Sequence, residues 1–67
     1  MKAETMFYIA LGTVSGNFHA SDVWAYFALN ADSKAERVRG LRNSIRFKTH
    51  AIVGFDREMD RLIKEYK

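Results

Sequence analysis

The chain has 67 residues, of which 48% are apolar and 28% charged, and it contains neither proline nor cysteine. That is the make-up of a single small globular domain spanning residues 1–67, not of a disordered tail or a disulfide scaffold. It excludes thiol catalysis, disulfide bonding and cysteine-based zinc binding, and no apolar run approaches the roughly 20 residues that span a bilayer.

The first apolar stretch, Met6 to Leu11, is too short for a signal peptide, and Glu4 stands where such a segment would be basic. The compartment expected by default is therefore the cytoplasm. Met6, Phe7, Ala10, Leu11 and Val14 recur at helical spacing and predict an amphipathic helix over about Ala3–Val14. Glu4 near its start suits the positive end of the helix dipole. Ser15-Gly16-Asn17 reads as a stop and turn, and Phe18 as a core plug from a short extended stretch.

A second helix is predicted from about Ala20 to Leu29, with Ser21 as the cap because its hydroxyl can accept from a free backbone N–H. Val23, Trp24 and Phe27 make its apolar patch, and Asn30-Ala31-Asp32 reads as a loop. Ser33-Lys34-Ala35-Glu36 then fits a capping box at the head of a third helix running to Arg46. Beyond Arg46, Phe47-Lys48-Thr49 reads as a turn, and His50 to Phe55, with its β-branched residues, as a short strand. A last helix starts at Asp56 and carries Met59, Leu62, Ile63 and Tyr66. A competing reading starts that helix at Thr49 and runs it through Gly54, which costs about 1 kcal/mol in a helix interior. The fold expected is mainly α: a compact bundle of about four helices with at most a short β-hairpin.

The charge is unevenly distributed. Residues 33–48 carry Lys34, Arg37, Arg39, Arg42, Arg46 and Lys48 against Glu36, a net of +5, whereas the formal charge of the whole chain is +3. On a helical wheel Val38, Leu41 and Ile45 form one stripe expected to be buried, and Arg42, Arg46, Arg39 and Asn43 follow one another along its flank. Such a block attracts phosphates or an acidic protein surface.

The order of two helices, a tight loop and a basic third helix describes a helix-turn-helix. The run Gly16-Asn17-Phe18-His19-Ala20-Ser21-Asp22-Val23-Trp24 resembles the approach to the second helix in small winged-helix proteins of phages and mobile elements. The resemblance covers about residues 3–55. It implies that Ser33–Arg46 is a recognition helix and His50–Phe55 the strand returning after it, although a charged helix follows where the family has its wing.

The function this suggests is a DNA-binding regulator whose helix 33–46 enters the major groove. Arg39, Arg42, Asn43 and Arg46 would face the bases, since arginine pairs bidentately with guanine and asparagine with adenine. Lys34, Arg37 and Lys48 are candidate phosphate contacts. A homodimer is expected to form through Ile52, Phe55, Met59, Leu62 and Tyr66, whose alternating spacing is that of a coiled-coil seam. The alternative is a small phage-type module that modulates a larger host protein through an acidic surface, with Tyr8, Tyr26 and Tyr66 as anchors. Neither catalytic nor metal-binding residues are evident. His19 and His50 stand alone, and Gly12 to Gly16 has neither the order nor the preceding strand of a phosphate-binding loop. No enzyme activity and no cofactor are expected.

Overall fold

The computed structural model describes residues 1–66 as two long antiparallel helices, α1 (Ala3–Asn30) and α2 (Lys34–Glu65), joined by a three-residue connection. The hairpin measures 50 × 14 × 12 Å. No helix among the described residues is long and apolar enough to cross a membrane.

This corrects the expected bundle of about four helices with a β-hairpin. The described residues contain no strand and one turn, so neither the winged-helix arrangement nor a separate recognition helix 33–46 is formed. Helix α1 runs straight through Ser15-Gly16-Asn17, and α2 runs through Phe47-Lys48-Thr49 and the expected strand His50–Phe55. The competing reading, a helix continuing through Gly54, is nearer to what is found.

The reason for this continuity lies in a seam that spans both expected breaks. Ala10, Val14, Asn17, Ser21, Trp24, Ala28 and Ala31 line the inner side of α1 and its exit, at alternating spacings of four and three. Gly40, Ser44, Phe47, Ala51, Gly54 and Glu58 do the same along α2, and Leu62 follows one further step of four. Such a repeat keeps one side of each helix facing its partner over its full length. No proline interrupts either helix, and no glycine has a positive φ. Hydroxyls within α1 are satisfied by the helix's own carbonyls. The hydroxyl of Thr13 donates to the Ala10 carbonyl at 2.7 Å, and that of Ser15 to the Gly12 carbonyl at 3.1 Å.

The seam is made largely of small residues, and the helices approach closely because of it. A Cβ built on Gly40 would lie 2.8 Å from the Ala28 Cβ and 2.9 Å from Cδ1 of Phe27. One on Gly54 would lie 3.0 Å from a Val14 methyl. Ser21, expected as a helix cap, is instead buried in mid-helix. Its hydroxyl donates to the Ser44 carbonyl at 2.8 Å and lies 3.1 Å from the Ser44 hydroxyl. This pairing satisfies two polar side chains that would each be costly to bury alone. Asp56, the expected start of a separate last helix, is an exposed residue within α2.

At the turn, Ser33 caps α2 as its spacing predicts, its hydroxyl accepting from the Glu36 N–H at 3.2 Å. Arg37 donates from Nε to the Ala31 carbonyl at 2.9 Å and fastens the connection to the first turn of α2.

Candidate functional site

The two outer flanks of the hairpin differ in chemistry. A helix advances about 100° per residue, so the flank of α2 on one side of the seam is read from Arg39, Arg42, Arg46, His50, Val53 and Arg57. All six are exposed. They form a line about 27 Å long at 1.5 Å per residue, and no acidic residue falls on it between its ends.

Arg39 is held in place. Its guanidinium lies 5.5 Å from the Trp24 ring centre and 5.7 Å from that of Phe27, and those two rings meet edge to face at 5.5 Å. A cation over aromatic faces is attracted by their quadrupoles, and this fixes the beginning of the line against α1. Among the described residues, ion pairs are made only by Arg61, which binds Glu58 and reaches Glu65 at 2.6 Å. The hydrogen bond from Arg61 lowers the Glu58 carboxyl below its ordinary range, and Glu58 in turn raises Arg61. The charge of Arg61 is thus spent within its own helix, whereas Arg42, Arg46 and Arg57 are turned to solvent without a carboxylate partner.

Four of the seven residues expected to bind DNA are brought together. Arg39, Arg42 and Arg46 share the exposed line, and Asn43 sits half-buried between it and the seam. The other three lie elsewhere. Lys48 is two positions from Arg46, about 200° round the helix. Arg37 is turned to the Ala31 carbonyl. Lys34 is in the first turn of α2. His50 and Arg57 extend the line and escaped the sequence reading. Their spacing from Arg46 would have identified them had the helix been carried through residues 47–55.

Of the dimer seam expected at Ile52, Phe55, Met59, Leu62 and Tyr66, Leu62 is 2% exposed and belongs to the hairpin's own interior. Tyr8 and Tyr26 lie on the outer back of α1, opposite the seam, and are largely exposed.

No protein-family model matches this chain, and no curated protein or solved structure is significantly similar to it. The site therefore rests on its own geometry.

Proposed function

We propose that this chain is a cytoplasmic binding protein, not an enzyme, that lays the basic flank of α2 against the phosphate backbone of double-stranded nucleic acid. The observation that carries the reading is the line Arg39–Arg42–Arg46–His50–Arg57, exposed along one straight helix with no acid on it. Arginines spaced in this way neutralise phosphates and release condensed counterions, which supplies affinity independent of sequence. Base reading is not part of the proposal. The amide that would pair with adenine, Asn43, is half-buried at the edge of the seam, and α2 is packed lengthwise against α1 rather than standing out as a recognition helix. Binding of this kind suits a small regulator that covers or organises nucleic acid.

The experiment is duplex binding measured over a range of salt concentrations. Replacing Arg42 and Arg46 together by alanine removes two phosphate contacts, so the slope of log K against log salt becomes shallower by about 1.8. Unchanged affinity and slope in that variant would remove the proposal. Recovery of a stoichiometric acidic protein from nuclease-treated cytoplasm, lost in the same variant, would favour a protein partner instead.

A further inference from the structure

The other flank of the hairpin is apolar. Phe7 and Leu29 from α1 and Leu41, Ile45, Ile52 and Ile63 from α2 stand on it. Leu29 is 82% exposed, Ile45 64% and Ile52 53%. The edge-to-face contact of Phe7 with Phe55 at 5.3 Å crosses between the helices on this side. Near the turn an open groove of about 350 Å³ is lined by Ala28, Leu29, Arg37 and Leu41. Along α2 the stripe Val38, Leu41, Ile45, Lys48, Ile52, Phe55 and Met59 repeats at alternating three and four, with Lys48 its one charge.

We infer that this flank is covered by a second copy of the chain, forming a four-helix bundle in which α1 of each copy lies on α2 of the other. Three observations carry the inference.

The first is area. The chain exposes 5212 Å², whereas a compact monomer of 7.7 kDa exposes about 4300 Å². The excess of roughly 900 Å² is close to the ~800 Å² that each partner contributes to a standard interface.

The second is the hairpin's own interior. Its buried apolar residues are Ala10, Val14, Ala28, Ala31, Ala51 and Leu62, so every isoleucine and every leucine but Leu62 and the half-buried Leu11 is left exposed. A chain of this length with so little buried apolar volume lacks the core that holds a small domain together. A second copy supplies it by burying the stripe.

The third is charge. The apolar flank carries the acids Glu4 and Asp22 on α1, and on α2 the bases Lys34, Arg37 and Lys48 against a single acid, Asp56. A copy placed with α1 against α2 sets acid against base, whereas α1 against α1 sets acid against acid.

Sedimentation equilibrium of the whole chain at micromolar concentration tests this. The expected mass is twice that of one chain. Ile45→Glu places an unpaired carboxylate in the interface and weakens the dimer by roughly a hundredfold or more. Arg46→Glu, at the next position but about 100° round the helix on the basic flank, leaves it intact. Asp22→Lys and Lys48→Asp each weaken it roughly fivefold, and the two together restore it, because the pair is then reversed rather than removed. The circular dichroism of each single variant, unchanged from wild type, separates weakened association from misfolding. A fully helical monomer at 100 μM, or a dimer indifferent to Ile45→Glu, would overturn the inference. A double variant weaker than either single one would overturn the placing of α1 on α2. A chain that stays monomeric and instead floats with vesicles would assign the flank to lipid and overturn it too.

Discussion

Gly40 and Gly12 differ in kind, although both lie within helices. Gly12 has no atom within 4 Å of where a Cβ would stand, whereas the Cβ of an alanine at 40 would meet backbone and side-chain atoms of Phe27 and Ala28 at 2.8–3.1 Å. An added methyl at 12 gains the usual advantage of alanine over glycine in a helix. Gly12→Ala is therefore expected to stabilise the fold by about 0.5–1 kcal/mol. Gly40→Ala forces the helices apart where α1 is ending and is expected to cost about 1–3 kcal/mol. Urea unfolding of both variants at one protein concentration checks the contrast. Equal effects would mean that α1 and α2 do not approach closely at Ala28. The same closeness explains why Ser21 and Ser44 serve the seam. Each is small enough to lie between the helices, and each finds in the other, or in the Ser44 carbonyl, the hydrogen bond that burial demands.

At the scale of the elements, the length of the two helices is the feature that sets this molecule apart. Residues 47–49 read locally as a turn and 50–55 as a strand, yet the structure carries α2 through both. Thr49→Pro is a direct test. Within a helix it removes a backbone hydrogen bond and clashes with the preceding turn, at a cost of about 3 kcal/mol or more, whereas a turn would accept it. Lys34→Pro serves as the control. Position 34 is the first residue after the Ser33 cap, whose φ of −115° and ψ of 151° suit a residue before proline. Far-ultraviolet circular dichroism should find α2 intact in the control and helicity lost in Thr49→Pro.

This contrast also marks how much was legible in the sequence. The cap at Ser33 and the connection after Asn30 are local signals, and the structure carries them. The stripe Val38, Leu41 and Ile45, expected to be buried, is instead exposed, because α2 meets α1 through its Gly40 and Ser44 side. The continuity of the helices is not local. Ser15-Gly16-Asn17 and Gly54 carry weak breaking propensities, which the packing of one long helix on another outweighs. The seam escaped notice because it is built from Ala, Gly and Ser, residues that contribute little to hydrophobic periodicity. The larger residues that do show periodicity, such as Ile45 and Ile52, lie on the outside. The arginine line was legible from Arg39 to Arg46, but its extension to His50 and Arg57 depended on the helix continuing.

For the whole molecule, the two proposed surfaces constrain each other. The arginine line and the apolar stripe occupy opposite flanks of the same hairpin. When two copies meet through their apolar flanks, their basic flanks face away from each other. A straight duplex can then touch only one of them, so the dimer has two separate binding faces and should bridge two duplexes. Each face offers Arg39, Arg42, Arg46 and Arg57, so binding to one duplex should show a salt slope of roughly −3 to −4. That slope should not depend on whether the second copy is present. The measurement is energy transfer between two duplex populations carrying donor and acceptor dyes. The wild-type protein should bring them together at concentrations where it is dimeric. Dilution below the dimer dissociation constant should abolish the transfer while single-duplex binding persists with the same salt slope. Transfer that outlasts dissociation of the dimer would place both duplexes on one chain and contradict a single basic flank. Binding by an intact dimer with no transfer would mean that its two arginine lines lie on one side, and the copies would then have to meet through some surface other than the apolar stripe.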